Sequence, residues 1–144
     1  MTRIEFHFNV AERLHYTCRL LRKAYLQGAR LGVLGSEATL RQLDVALWKF
    51  SEVEFLPHST ATDSPELQQT SPIRLHADVQ QLVGLDVLLN LDDELPPAFE
   101  KFGRLIEIVS LDDFAIMNAR KRWRHYKEQG YELQRHDLAK VSAP

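Results

Sequence analysis

The sequence predicts an α/β fold with three layers, a mostly parallel sheet carrying helices on both of its faces. Three observations lead there. Short strand-like segments alternate along the chain with longer segments whose apolar residues recur every three or four positions. The run Leu-Asp-Val-Leu-Leu-Asn-Leu at 85–91 is nearly continuous in apolar residues, as expected of a strand covered on both faces. The 144 residues suffice for one domain, residues 1–144, that buries roughly 68–70 % of its unfolded surface.

Residues 3–8 alternate, with Ile4, Phe6 and Phe8 on one side and Arg3, Glu5 and His7 on the other, which predicts a strand with one buried face. Asn9 is placed to cap a helix. Val10, Leu14, Cys18, Leu21 and Tyr25 form its stripe, and Gly28 ends it. Cys18 lies on that stripe with no base nearby, so it reads as a small core residue. Residues 30–34 form a second strand, and Gly35 and Ser36 supply a turn and cap. Leu40, Leu43, Ala46 and Leu47 mark a second helix ending near Trp48. Residues 53–56 are extended and stop at Pro57. Residues 58–72, rich in Ser, Thr, Pro and Gln, read as a mobile loop. Residues 73–76 form a strand. Pro96 and Pro97 introduce a short helix over 98–102, and residues 105–109 are a further strand. Ser110, with Asp113 three positions on, reads as the cap of a final helix that Gly130 closes. Residues 131–133 add a last strand, and the tail from Lys140 is frayed.

Composition narrows the function. Hydrophobic residues make up 44 % and charged residues 26 %, values of an ordinary soluble protein, and the apolar runs are too short for a transmembrane helix. Residues 1–8 carry Glu5 and alternate, unlike a signal peptide. The single cysteine excludes an internal disulfide, and a cytoplasmic setting is expected. Arg120, Lys121, Arg122, Arg124 and Lys127 place five cations within eight residues. The other 136 residues carry 13 positive and 20 negative charges, a net of −7. An acidic body disfavours general binding to duplex nucleic acid, whereas a small basic spot suits a small acidic partner.

No motif for catalysis is present. A GxxxxGK[ST] loop, a GxGxxG turn, an HExxH pair and a GxSxG elbow are all missing, so neither an enzyme nor a bound cofactor is expected. His7, His15, His58, His76, His125 and His136 show no ligand spacing, and no metal is expected. The alternative reading is a small-ligand or nucleotide-binding domain using the strand ends near Gly35 and Asp92, with Asp93 and Glu94 beside it. The more informative segment is the last helix. Arg120, Trp123, Arg124 and Lys127 share one arc of about 100°. Ile116, Ala119 and Tyr126 lie on the adjoining side, which reads as the packing face. Two readings of Trp123 stand: a core residue at the edge of that face, or the rim of a site for a peptide with a ring and carboxylates. Trp48, with Phe55, Leu56 and Pro57, is either core or an apolar contact surface.

The segments LDVALWKFSEVEFLPH (residues 43–58) and ARKRWRHYKEQGYEL (residues 119–133) resemble the chi subunit of bacterial DNA polymerase III holoenzyme. The shared features are a helix ending at Trp48, Phe55 seven residues on, then Pro57-His58. Near the C-terminus they are a basic helix with an aromatic, Trp123, followed by Gly130 and Tyr131-Glu132-Leu133. Ile116 stands where this family can have a lysine, and Trp123 where it can have a tyrosine. The resemblance implies a nucleotide-binding-domain-like fold without a phosphate-binding loop, and a non-catalytic accessory subunit of the clamp-loader assembly. It implies two partners. One is the acidic, Pro-Phe-terminated tail of single-stranded-DNA-binding protein, at Arg120, Trp123, Arg124 and Ile116. The other is a psi-like subunit, at Trp48 and Phe55.

Overall fold

The computed structural model describes residues 1–50 and 56–139. Its elements are β1 (Arg3–Val10), α1 (Arg13–Leu26), β2 (Leu31–Leu34), α2 (Glu37–Phe50), α3 (Pro65–Thr70), β3 (Ile73–His76), β4 (Val87–Asn90), β5 (Arg104–Ser110), α4 (Asp113–Glu128) and β6 (Leu133–Asp137). Single 3-10 turns occur at Val79–Gln81 and Phe99–Lys101. The strands form one sheet in the order β3-β2-β4-β5-β1-β6, and every pairing is parallel. The sheet is thus wholly parallel, as the alternation of strands and helices implies.

Two apolar layers flank it. On one face Cys18, Leu21 and Ala24 of α1 and Leu40, Leu43 and Leu47 of α2 pack on Leu31, Val33, Val87, Leu89, Ile106 and Ile108. On the other, Ala119 and Tyr126 of α4 join the two 3-10 turns over Ile4, Phe6, Leu34, Leu88, Leu105 and Val109. All four residues of β4 are buried, which explains its unbroken apolar run. Cys18 is enclosed as expected, and burial pushes its thiol up to about 11, so it is inert.

Several local expectations are corrected. Asn9 does not cap α1. It lies in β1 with φ of 59°, at the register shift between His7 and Val10, and donates to Asp137 at 2.8 Å. An asparagine tolerates this left-handed conformation better than most residues. The cap position belongs to Glu12, whose side chain makes no capping bond. The final helix is capped by Asp112, which accepts the Ala115 N–H at 3.0 Å, and not by Ser110. Within residues 58–72 the chain forms α3, started by Ser64 as N-cap with proline at the first helical position. The last strand begins at Leu133 instead of spanning 131–133. The extended piece at 53–56 falls outside the described residues except for buried Leu56, and the tail from Lys140 is outside them too.

Strand β1 also departs from the one-faced reading. Glu5 and His7, expected on a solvent face, are buried, because β1 lies between β5 and β6 with α1 over this side. Arg104 of β5 engages both carboxylate oxygens of Glu5, its Nη2 at 2.9 Å from Oε1. Burial acts to raise the Glu5 carboxyl. Hydrogen bonds from His7 and Arg104 and the Arg104 charge outweigh it and hold the group at about 2.

Gly32 lies in the middle of β2 because the β3–β4 connection crosses directly above it. A Cβ at this position would meet Leu82 Cβ at 3.0 Å and Leu85 Cδ1 at 3.2 Å. Gly32→Ala should cost ~1–3 kcal/mol of stability through overpacking, measured by urea unfolding. A variant as stable as the parent would show that this crossing relaxes freely.

The Glu5 cluster predicts an acid response. A carboxyl held below its ordinary value of 4.5 contributes stability above that pH and loses it as pH falls toward about 2. Unfolding free energy should fall by ~3 kcal/mol on this account between about pH 5 and about pH 2. Glu5→Gln should flatten that limb in denaturant titrations. Parallel pH profiles for the two proteins would refute the assignment.

Candidate functional site

The outward side of α4 carries an open depression of about 690 Å³, lined by Asp113, Ile116, Met117, Arg120, Trp123 and Arg124. All four residues expected at a peptide site on this helix therefore meet in one concavity. Asp113 and Met117 were missed. Their signal was the same three-to-four stripe, which continues back from Arg120 through Met117 and Ile116 to Asp113. Lys127, although on the shared arc, does not line it.

Trp123 reconciles the two readings given to it. It is half-buried, with its ring edge-on to Phe6 at 5.1 Å, and it also forms a wall of the depression. Ile116 likewise packs on the core from the helix boundary while facing the cavity. Arg120 and Arg124 are exposed and make no ion pair among the described residues. Met117 is 47 % exposed, and Leu111 and Phe114, near the start of the helix, are exposed apolar side chains as well. The face offers a ring, flexible apolar side chains and two guanidinium groups within one small area. That combination can hold a hydrophobic ring and carboxylates together.

The basic run on α4 is not a uniform solvated charge cluster. Arg122 points inward and is 6 % exposed. Its Nε donates to Glu107 Oε2 at 3.0 Å and its Nη1 to the Asp93 carbonyl at 2.6 Å. Tyr126 donates to the same Glu107 oxygen at 2.6 Å, and Asn90 donates to Oε1 at 2.9 Å. Burial raises the Glu107 carboxyl, and Arg122, Tyr126 and Asn90 offset that rise only in part. The Tyr126 hydroxyl is raised by its burial and by the Glu107 charge, so it stays a donor.

The second predicted surface lies on α2. Trp48 is 56 % exposed, and Val45 and Leu67 are exposed with it. The Trp48 ring lies 5.0 Å from that of His58, whose two nitrogens face the Asp44 carboxylate at 2.7 Å and the Leu56 carbonyl at 2.9 Å. Trp48 is therefore no core residue. Phe55 lies outside the described residues.

The strand ends named in the alternative reading make contacts within the chain. Gly35 is buried, and a Cβ there would touch Leu40 and Leu91 at 3.5 Å. The Asp92 carboxylate accepts the Asp93 N–H, and Arg13 donates to the Leu91 carbonyl.

Comparison with known proteins identifies the family. Residues 1–134 match the family model described as DNA polymerase III chi subunit, HolC. The chain belongs to the chi subunit family. The DNA polymerase III subunit chi of Pseudomonas aeruginosa is 34 % identical over 146 residues, covering 98 % of this chain and all of the relative. Its namesake from Haemophilus influenzae is 29 % identical over 118 residues, 81 % of each chain. Among solved structures, the C-terminal domain of the DEAD-box protein Dbp5 aligns with a TM-score of 0.59 at 11 % identity, covering 96 % of this chain and 91 % of that one. S. cerevisiae Dbp5 bound to RNA and ADP BeF3 gives 0.59 at 10 % identity over 98 % of this chain and 43 % of that one. At such identities the likeness shows the chi-family chain's fold alone.

The buried network predicts a large effect from Arg122. Arg122→Ala leaves Glu107 enclosed without its counter-charge and should cost ~3–5 kcal/mol. Guanidinium unfolding would measure it. A loss below ~1 kcal/mol would show that Tyr126 and Asn90 suffice to hold the carboxylate.

Proposed function

We propose that the protein is a non-catalytic accessory subunit of the polymerase III clamp-loader assembly. In this reading the α4 depression docks the acidic C-terminal tail of single-stranded-DNA-binding protein and links that protein to the holoenzyme. The carrying observation is the meeting of Arg120, Arg124, Trp123 and Ile116 in one depression, with both guanidinium groups free of ion pairs among the described residues. The terminal Phe of the tail seats against Trp123, Ile116 and Met117. Its carboxylate and the preceding Asp side chains meet Arg120 and Arg124 by charge-assisted hydrogen bonds. Asp113 stands at the other end of the depression and repels acids there, so the charged part of the tail runs on the Arg120–Arg124 side. The small contact makes one tail a weak ligand, and several tails on a multisubunit binder raise the apparent affinity. A psi-like subunit is assigned to the Trp48 surface, supported by the exposure of that indole and its apolar neighbours.

Calorimetric titration with an Asp-rich peptide ending in Pro-Phe tests this. Arg120→Ala should weaken binding about ten- to a hundredfold, and Arg120→Lys should not restore it fully. Trp123→Ala should weaken it as well. Asp113→Asn should tighten it by about two- to fivefold. Binding should decline with salt. A peptide lacking its final Phe that binds as well as the intact one would overturn the assignment.

A further inference from the structure

A second polar cluster lies away from α4, on the α1 side of the sheet edge. Strands β1 and β6 pair so that His7 is the direct cross-strand partner of His136. Glu5, two residues before His7, projects to the same face. His7 Nε2 lies 3.3 Å from Glu5 Oε1, and His136 Nε2 lies 3.4 Å from the same oxygen. One ligand atom from each of the three residues falls within 4.8 Å of the other two.

We propose that Glu5, His7 and His136 form a binding site for a divalent transition ion of the zinc class, which staples the edge strand β6 to β1. Zinc binds imidazole nitrogen and carboxylate oxygen at about 2.0–2.2 Å, which sets the edge of its coordination tetrahedron near 3.4 Å. Both measured donor separations match that edge. The donors are also oriented in the way metal ligands usually are. The His7 Nδ1 is hydrogen-bonded to the Tyr16 hydroxyl, leaving Nε2 toward the cluster, and Arg104 fixes the Glu5 carboxylate by bonding both of its oxygens, Oε1 included. With the ion bound, His7 carries its proton on Nδ1, facing Tyr16. In the metal-free protein His7 Nε2 makes one long hydrogen bond to Oε1 and His136 Nε2 lies beside the same oxygen, so the ion replaces one hydrogen bond and one polar contact. A cavity of about 410 Å³ between α1 and β6 opens onto the cluster and leaves room for a water as fourth ligand.

Donor chemistry selects the ion. Two imidazoles and one carboxylate suit Zn²⁺, Co²⁺ and Ni²⁺, whereas Mg²⁺ and Ca²⁺ require oxygen donors. The cations Arg104, Arg19 and Lys23 around the cavity limit the affinity. The structural consequence follows from topology. Among the described residues, strand β6 is bonded to the sheet only through β1, and its three central residues are exposed. An ion across His7 and His136 anchors the strand that directly follows α4.

The test uses untagged protein stripped with a chelator and titrated with Zn²⁺ by calorimetry, with Co²⁺ absorption and thermal unfolding as further readouts. One ion per chain, a tetrahedral-type Co²⁺ spectrum and a raised Tm are expected, with no response to Mg²⁺. Tyr16→Phe should weaken binding about 10–100-fold, and His136→Gln by more than that. His136→Gln is suited to the test because the side chain is 45 % exposed and its loss need not disturb folding, which circular dichroism verifies. His125→Gln should change nothing. Substoichiometric uptake, equal affinity in folded His136→Gln, or loss of binding in His125→Gln would each overturn the site.

Discussion

The ion pair between Glu107 and Arg122 sets the orientation on which the α4 surface depends. Burying two charges costs more than their attraction returns unless their remaining hydrogen-bonding capacity is satisfied. Here Tyr126, Asn90 and the Asp93 carbonyl satisfy it. With Arg122, Ala119 and Tyr126 turned inward, the rotation of α4 is fixed. At about 100° per residue, Trp123 and Ile116 fall about 65° and 85° from the centre of the buried stripe, on its flank. Arg120, Arg124 and Met117 fall more than about 120° away, toward solvent. The depression forms between these two sets. It is a consequence of where the helix buries its one internal arginine.

That arginine also marks where reading the sequence ran out. The layer arrangement was legible because strand and helix periods are local, and the residues 85–91 announced a strand covered on both faces. Trp123, Arg120, Arg124 and Ile116 were legible as a group because helical spacing is local too. Arg122 looked the same as its neighbours in sequence, since only Glu107, on a different element, distinguishes it. Likewise Asp112 and Ser110 are both good caps, and the choice between them depends on where β5 releases the chain. Asn9 was misassigned for a related reason. Its side chain suits a cap and a left-handed backbone equally, and pairing with β6 near Asp137 decides the matter.

The Glu5–His7–His136 cluster was invisible for the strongest version of that reason. Its members come from opposite ends of the chain, and a parallel strand pair has no sequence signature for its register. Alternation in β1 even pointed the wrong way, because polar residues at every second position normally mean a wet face. They are enclosed here by α1 and by the Arg104 contact. Buried polar groups in a strand are tolerated when they are satisfied by one another.

The two candidate docking surfaces lie on opposite sides of the sheet. Helix α2, with Trp48, packs on the face formed by Leu31, Val33 and Leu89, whereas α4 covers the face of Phe6, Leu88 and Leu105. A wholly parallel sheet between them is a stiff separator, since each of its inner strands is hydrogen-bonded on both sides. In the function proposed above, a partner on α2 and a partner on α4 would approach from opposite faces of the sheet. For the adaptor role proposed above, this arrangement matters more than the strength of either contact. Linking two assemblies requires simultaneous occupancy, and a fold that in other proteins serves ligands at its strand ends leaves both helical faces available for it.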